Sequence, residues 1–279
     1  MTQTAKTIAF QGAHGAYSDL AAREKFPGIQ TVPCETFEGA FAAVEDGSVD
    51  LAMIPIDNTL AGRVADVHHL LPRSNLTIIG EHYLPIRHTL MGMKGAKLSD
   101  IKQIYSHVHA IPQCRKLIKE LGAKPIVRAD TAGAAQELAE LGDTSIGAIA
   151  SSLAAEIYGL EILRENVQDE DHNATRFVVL ARDPLHFSAD EKGLKTSLFF
   201  QVRNIPAALY KAMGGFATNN VQMTKLESYI GPGFQTAFFY LEIEGHPDNR
   251  PVKLALEELS FFAKDVRVVG TYKAETPVS

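Results

Sequence analysis

The first 180 or so residues alternate short apolar runs with amphipathic helical segments, and this alternation constrains the fold more than any other feature. Residues 7–11 (TIAFQ) and 50–56 (DLAMIPI) predict strands, and the spacing over 16–26 and 36–47 predicts helices. The run DLAMIPI is apolar almost throughout, as is typical of a parallel strand buried on both faces. The pattern therefore predicts an α/β fold with right-handed βαβ crossovers.

The segment 181–195 interrupts this rhythm with Pro184, Gly193 and a cluster of charges, which is typical of a linker. Beyond it the pattern reads strand, helix, strand, strand, helix, strand, and this order predicts a ferredoxin-like βαββαβ arrangement. We therefore expect three parts, namely a first domain over 1–183, a linker over 184–194 and a second domain over 195–279.

Composition and charge argue against several classes of function. The chain of 279 residues carries a net charge of −6, whereas a surface for nucleic acid or anionic membrane needs clustered basic residues. Its longest apolar runs are too short to span a bilayer, and no apolar segment typical of a secretory signal precedes the first strand. Two cysteines without metal spacing, Cys34 and Cys114, suit a reducing compartment, so we expect a cytoplasmic protein.

Small polar residues follow several of the predicted strands. The clearest stretches are GAHGAYS (12–18), DNTLAGR (57–63) and SHVHAIPQC (106–114). Each has an ordinary structural interpretation: a tight turn at 12–18, helix caps at 57–59, and a cap by Ser106 on a helix whose first turn holds Pro112. Because ligands of open α/β sheets bind at the carboxyl ends of strands, the same residues also predict a cleft.

Neutral donors dominate these strand ends, since hydroxyls, amides and glycines outnumber carboxylates there. Such groups, together with helix N-termini, suit the oxygens of an anion. The sequence has no phosphate loop, no zinc-ligand spacing and no nucleophile elbow. From the residues alone we predict a cleft for a small carboxylate.

The stretch HNATRF (172–177) places an imidazole, amide, hydroxyl and guanidinium directly before the apolar run VVLA. With FQGAHGAYS, PIDNTLAG, SHVHAIPQC, DTAGAA and IASSLAAEIYGL in the same order, it resembles prephenate dehydratases that carry a C-terminal ACT regulatory domain. The resemblance covers almost the whole chain. It implies a catalytic domain like a type II periplasmic binding protein, with one lobe of roughly 1–80 and 175–183, a second of 81–174, and the active site between them.

The resemblance also implies a reaction, the decarboxylating dehydration of prephenate to phenylpyruvate in L-phenylalanine biosynthesis. Aromatisation drives this step, so the enzyme chiefly helps hydroxide to leave, and the family signature assigns that part to Thr175. Neither a metal nor an organic cofactor is required. Arg176 either pairs with a carboxylate of the substrate or holds the hinge between the lobes. The expected substrate-binding residues are Tyr17, Ser18, Asn58, Thr59, Ser106, Gln113, Asn173 and Arg176.

The C-terminal domain departs further from the family pattern. Ala207 stands where glycine is usual, and Tyr229 and Ile230 replace an arginine and a proline. Feedback by phenylalanine through paired subunits, in a homodimer or homotetramer, is still the expectation. The expected effector-binding residues are Asn204, Ala207, Ala208, Leu209, Leu226, Glu227 and Ser228.

Two alternatives stay open at this point. Arogenate dehydratase performs the same elimination on a substrate with an amine in place of the keto group, and the cleft motifs do not separate the two. A non-catalytic sensor, with a binding cleft coupled to an ACT domain, uses the same hydroxyl donors, although it has no need of the NATRF signature.

Overall fold

The structure is a computed structural model and describes residues 5–230 and 237–277. The chain forms two compact units. The C-terminal unit comprises Leu71–Glu81 with Val179–Glu275, and the N-terminal unit comprises residues 5–70 together with His82–Val178 and residues 276–277. The domain boundaries at 183 and 195 stay a prediction. The sequence GPG at 231–233, around which the second and third predicted C-terminal strands pair, lies outside the described residues.

Two sheets organise the N-terminal part of the chain. In the first, the order is β2-β1-β3-β11-β5 with β4 beside β3; in the second, it is β10-β6-β9-β7-β8. The strands are β1 (Thr7–Gln11), β2 (Gln30–Cys34), β3 (Leu51–Asn58), β4 (Gly62–Arg63), β5 (Thr77–Pro85), β6 (Thr89–Gly92), β7 (Gln103–His107), β8 (Lys124–Arg128), β9 (Ile146–Ala150), β10 (Glu161–Arg164) and β11 (Ala174–Ala181).

The central pairs of both sheets are parallel, since β1 lies parallel to β2 and β3, and β7 lies parallel to β8 and β9. Strand β3 is buried along most of its length, as its apolar sequence predicts. The helices are α1 (Tyr17–Lys25), α2 (Phe37–Glu45), α3 (Ala65–Leu70), α4 (Arg115–Leu121), α5 (Thr131–Leu141) and α6 (Ser152–Tyr158).

The C-terminal unit has the predicted βαββαβ order. Its four strands form an antiparallel sheet in the order β13-β14-β12-β15, which is the ferredoxin-like arrangement. The elements are β12 (Leu194–Val202), α7 (Ala208–Thr218), β13 (Met223–Ile230), β14 (Ala237–Glu244), α8 (Arg250–Phe262) and β15 (Ala263–Lys273). Among residues 5–230 and 237–277, no helix is long and apolar enough to cross a membrane.

One local expectation is wrong, and a second holds only in part. Residues 57–59 cap no helix, because β3 continues through Asn58 and turns into β4, and α3 begins only at Ala65. Pro112 lies in a separate 3-10 turn, Ile111–Gln113, and α4 begins after Cys114, whose φ of −127° interrupts the helical backbone.

The loop between β1 and α1 packs tightly against α6. The Ser151 hydroxyl donates to the Gly15 carbonyl at 2.5 Å, and the Tyr158 hydroxyl donates to the His14 carbonyl at 2.8 Å. Gly15 has a φ of +86°, and a Cβ placed on it would lie 2.7 Å from Ala154 Cα. Glycine is therefore required here both by the left-handed backbone and by the close approach of α6.

We expect Gly15→Ala to lower the free energy of unfolding by about 2–4 kcal/mol. The cost of an alanine in the left-handed conformation and the cost of the clash between its Cβ and Ala154 both contribute. Gly28→Ala is the matched control, because Gly28 has a φ of +85° and no atom within 4 Å of an added Cβ. The control should cost only about 1 kcal/mol, the strain alone. Urea unfolding monitored by circular dichroism measures both, and equal losses in the two variants would contradict the packing argument.

Ala207 precedes α7 in a left-handed conformation, with a φ of +58° that non-glycine residues rarely adopt. We expect Ala207→Gly to raise the free energy of unfolding by up to about 1 kcal/mol, because relief of the strain exceeds the extra entropy of glycine in the unfolded chain. Ala208→Gly, one residue later and within the helix, should instead destabilise the protein by about 1 kcal/mol. Urea unfolding of the two variants measures whether the free energy of unfolding changes in opposite directions, as expected.

Candidate active site

A cavity of about 180 Å³ lies in the N-terminal unit. It is lined by the ends of β3 and β7, the first residues of β11 and the starts of α1 and α5. No lysine, arginine, aspartate or glutamate is among the described residues that line it. The lining residues are Tyr17, Ser18, Pro55, Asn58, Ile86, His88, His107, His109, Ala110, Gln113, Thr131, Asn173, Thr175 and Phe177.

Asn58 orients the hydroxyl of Thr175. Asn58 Oδ1 accepts hydrogen bonds from the backbone N–H groups of Leu60 at 2.9 Å and Ala61 at 2.8 Å, so the NH2 group must point the other way. That NH2 group donates to Thr175 Oγ1 at 2.9 Å, across 117 residues of sequence. Because Thr175 Oγ1 accepts from Asn58, its own hydrogen is available to donate into the cavity.

Thr59 holds the chain next to Thr175 rather than facing the cavity. Its hydroxyl donates to the His172 carbonyl at 2.9 Å and accepts from the Ala174 backbone N–H at 2.9 Å. The backbone N–H of Thr59 donates to the Ala174 carbonyl, also at 2.9 Å. These three bonds clamp the start of β11 against the end of β3.

Asn173, Gln113, His88 and Tyr17 continue the hydrogen-bonded network around the cavity. Asn173 Nδ2 donates to Gln113 Oε1 at 2.6 Å, and His88 Nε2 lies 3.0 Å from the same oxygen. The Tyr17 hydroxyl lies 2.7 Å from His88 Nδ1. Burial lowers the pKa of His88, although its hydrogen bond to Gln113 opposes the shift, and burial raises the pKa of the Tyr17 phenol.

Besides Thr59, two more of the predicted substrate-binding residues lie outside the described lining, Arg176 and Ser106. Arg176 is buried, with Nη1 3.6 Å from Asp57 Oδ2 and its guanidinium 5.9 Å from the centre of the Tyr83 ring. Ser106 is also buried, and its hydroxyl donates to the Ile149 carbonyl at 2.6 Å. Both positions agree with a structural role: Arg176 supports β11, and Ser106 links β7 to β9.

The start of α1 offers N–H groups to the cavity. Ala16 has no side chain able to cap this helix, whereas Asp130 caps α5 by accepting from Gly133 N and Ser151 caps α6 by accepting from Ala154 N. Uncapped first-turn N–H groups at a helix N-terminus attract an anion. Tyr17 and Ser18, the first residues of α1, both line the cavity.

Three histidines of the lining, His88, His107 and His109, were not predicted from the sequence as site residues. His107 Nδ1 accepts from the His109 backbone N–H at 3.4 Å, and the two rings are 5.1 Å apart. Burial lowers the pKa of His107, and the neighbouring His109 lowers it further. His88 lies in an apolar run, where a lone histidine is more often a core residue, so the sequence carries no signal that would single it out.

The expected effector-binding residues form two groups in the C-terminal unit. Asn204 and Ala207 are exposed before α7, followed by Ala208 and Leu209 in its first turn. Leu226, Glu227 and Ser228 lie on β13, at the edge of the sheet. The neighbouring Tyr229, in the place of the family's arginine, is buried with its ring 6.5 Å from that of Phe199.

Comparisons with known proteins agree with this architecture. The family described as prephenate dehydratase matches residues 8–185. The bifunctional N-acyl-homoserine lactone acylase/prephenate dehydratase of Komagataeibacter europaeus is 49% identical, over 96% of each chain. Arogenate dehydratase/prephenate dehydratase 1 of Arabidopsis thaliana is 40% identical, over 95% of this chain and 71% of the relative.

A solved structure of prephenate dehydratase from Arthrobacter aurescens, in complex with L-Phe, superposes with a TM-score of 0.87. It is 29% identical and covers 98% of this chain and 92% of its own. The predicted fold class is confirmed: an α/β protein with a two-lobed, periplasmic-binding-protein-like catalytic part and a ferredoxin-like C-terminal arrangement. The family match covers more than half of the chain and includes the residues that line the cavity. The protein is therefore an enzyme of the prephenate dehydratase family, a group of hydro-lyases.

Proposed function

We propose that the protein converts prephenate to phenylpyruvate, water and carbon dioxide. The observation that carries this proposal is the hydrogen bond from Asn58 Nδ2 to Thr175 Oγ1, which leaves the hydroxyl of this lining residue able to donate its hydrogen to a ligand. In the reaction the ring C4–O bond breaks with its electrons going to oxygen. The bond from the ring to its carboxylate breaks at the other end of the ring, and its electrons complete the aromatic system.

Thr175 assists the departure of the oxygen in this proposal. A hydroxyl is a poor acid, but it stabilises developing negative charge as a positioned donor. The hydrogen bond that Thr175 accepts from Asn58 strengthens this donor, because neighbouring hydrogen bonds polarise one another. The leaving oxygen takes up one proton that comes ultimately from solvent, so it departs as water and Thr175 ends the reaction as a neutral hydroxyl.

Neutral groups bind the two carboxylates in this proposal, since no lysine or arginine is among the described lining residues. The donors available are the first-turn N–H groups of α1, the Gln113 amide and the hydroxyls of Ser18 and Thr131. Arg176 supports β11 and does not bind substrate.

We also propose that prephenate is preferred over arogenate. The two differ at the side chain, where arogenate carries an ammonium group, and a buried ammonium requires an anionic partner. The described lining contains no carboxylate to pair with an ammonium group, and its neutral hydrogen-bonding groups suit a keto acid. The preference is expressed as the ratio of kcat/KM for the two substrates.

The acylase named for the Komagataeibacter relative is the second activity to be considered. Two nucleophile-type side chains adjacent in sequence to lining residues, Ser106 and Cys114, are not arranged for acyl transfer. Ser106 donates to the Ile149 carbonyl, and burial raises the pKa of the Cys114 thiol to about 12, with Asp169 contributing, so little thiolate forms. We therefore propose the dehydratase as the activity of this site.

A single set of assays tests these proposals. Purified protein is supplied with prephenate, arogenate or an N-acyl-homoserine lactone, and phenylpyruvate, phenylalanine or the freed lactone is measured. Rapid formation of phenylpyruvate with a higher kcat/KM than for arogenate is the expected result. A higher kcat/KM for arogenate would overturn the preference, and folded protein inactive on both cyclohexadienes would favour the sensor.

We further propose that the C-terminal unit is an ACT domain that binds L-phenylalanine and lowers activity. The Arthrobacter structure, solved with L-Phe and covering 98% of this chain, supports the proposal, as does the βαββαβ order. Asn204, Ala207, Ala208 and Leu209 with Leu226, Glu227 and Ser228 are the proposed contacts. A homodimer or homotetramer is proposed as well, and the cytoplasmic location stays a prediction.

Calorimetric titration with L- and D-phenylalanine tests the effector site, and light scattering measures the oligomer. L-phenylalanine is expected to bind and to reduce turnover, while the D-enantiomer does neither. Ala207→Gly should tighten binding, because it removes a methyl group from the exposed turn before α7. Binding of neither enantiomer would overturn the proposed effector.

A further inference from the structure

Five side chains, those of Tyr17, His88, Gln113, Asn173 and Asn58, form a continuous hydrogen-bonded chain along the cavity. The separations, from the Tyr17 end, are 2.7 Å, 3.0 Å, 2.6 Å and 2.8 Å. At the Asn58 end the chain terminates on the backbone N–H groups of Leu60 and Ala61. A backbone N–H only donates, so this end determines the direction of every bond that follows.

The direction can be followed from one side chain to the next. Asn58 accepts with Oδ1 from the backbone, so its Nδ2 donates to Asn173 Oδ1. Asn173 therefore presents Nδ2 to Gln113, and the atom of Gln113 that receives it is the carbonyl Oε1. Each amide in the series can adopt only one of its two flipped orientations without facing donor against donor.

Gln113 Oε1 determines the tautomer of His88. Since this oxygen only accepts, His88 Nε2 carries the hydrogen. Burial favours the neutral imidazole, and Nδ1 then has a lone pair that accepts from the Tyr17 hydroxyl at 2.7 Å. The Arg87 backbone carbonyl, 3.0 Å from the same hydroxyl, is a second and longer acceptor for its hydrogen. The His88 backbone is held as well, because its N–H donates to Gln168 Oε1 at 2.9 Å and its carbonyl accepts from Val167 N at 2.8 Å.

The backbone of Gln113 is held by the same segment of chain. Asp169 N donates to the Gln113 carbonyl at 2.6 Å, and the Asp169 carboxylate accepts from the N–H groups of Arg115 and Lys116 at the start of α4. With its backbone held and its Oε1 engaged by two donors, Gln113 has only its NH2 group left for the cavity that it lines.

We propose that His88 and Tyr17 are positioning residues that keep the Gln113 amide turned so that its NH2 group donates to the substrate. The inference rests on the dehydratase proposed above. It gives Tyr17 a different part from the direct substrate contact expected from the sequence, since its hydroxyl serves His88. A flipped Gln113 would present an oxygen to an anionic substrate, which is repulsive.

The tautomer of His88 is measured by nitrogen NMR on the full chain labelled at histidine, with the signal assigned from its loss in His88→Gln. A neutral ring with hydrogen on Nε2 at pH 7 is expected, and Tyr17→Phe should increase the share of the Nδ1–H tautomer. An Nδ1–H tautomer or an imidazolium in the unsubstituted protein would overturn the inference. This readout needs no turnover, so it stands apart from the test of the dehydratase.

Two variants of similar size test the kinetic consequence on prephenate. His88→Gln retains an N–H donor near the position of Nε2, whereas His88→Asn reaches only the position of Nδ1. His88→Asn should raise KM about tenfold with kcat nearly unchanged, and His88→Gln should stay within about threefold of the original KM. Equal KM values in the two variants, or a loss confined to kcat in both, would contradict positioning through Gln113.

Discussion

Thr175→Ala should lower kcat on prephenate by about 100- to 10,000-fold while KM changes little, because the lost donor acts on the leaving oxygen only as charge develops. The hydroxyl is half-buried at the start of β11, where Asn58 engages its oxygen and leaves its hydrogen to the cavity. Steady-state kinetics at saturating prephenate give kcat directly, and the thermal unfolding midpoint shows whether the variant is folded.

Thr175→Ser is the matched control for this prediction. It retains the hydroxyl and loses only a methyl group, so kcat should stay within about tenfold of the original value. A folded Thr175→Ala variant with near-normal kcat would remove Thr175 from the chemistry. A large rise in KM with kcat preserved would make Thr175 a substrate-binding residue instead.

Asn58→Asp should have the second-largest effect, a fall in kcat of about 100-fold or more. The new carboxylate would still accept from Leu60 N and Ala61 N, so the turn after β3 is expected to persist. It would also accept from the Thr175 hydroxyl, and the hydrogen needed by the substrate would then point away from the cavity. KM should rise too, because a negative charge enters the cavity that we propose binds a dianion.

The control for Asn58→Asp is Gln136→Glu, the same change from amide to carboxylate on the exposed face of α5. It should leave kcat and KM unaltered, which separates the local effect from that of net charge. If Asn58→Asp keeps its unfolding midpoint and its kcat, then the orientation of the Thr175 hydroxyl by Asn58 does not contribute to catalysis.

Local signals in the sequence predicted most of the secondary structure. The apolar run at 50–56 became β3, and Thr36, Asp130 and Ser151, which are residue types typical of helix N-caps, do cap α2, α5 and α6. These succeed because strand burial and helix capping depend on residues close together in sequence. The same local logic failed at 57–59, where Asn58 bonds instead to residues more than a hundred positions away.

The candidate site was predicted as a set of residues but not as an arrangement. The sequence named Thr175, Asn58, Gln113 and Asn173, all of which line the cavity. It left two roles open for Arg176, namely binding a substrate carboxylate or holding the hinge. The burial of Arg176 beside Asp57 favours a structural role. His88 was missed, since nothing local distinguishes a histidine that orients an amide from one packed in a core.

By itself the sequence determined the α/β class, the ferredoxin-like C-terminal order and the family, because hydrophobic period and ordered motifs are properties of the linear chain. Only the tertiary structure decided which polar groups remain available to a ligand. Thr59 and Ser106 have hydroxyls bonded to backbone carbonyls, while Thr175 keeps a hydrogen for the cavity. The physical reason is that a donor is free only when no other acceptor reaches it, and the competing groups come from strands distant in sequence.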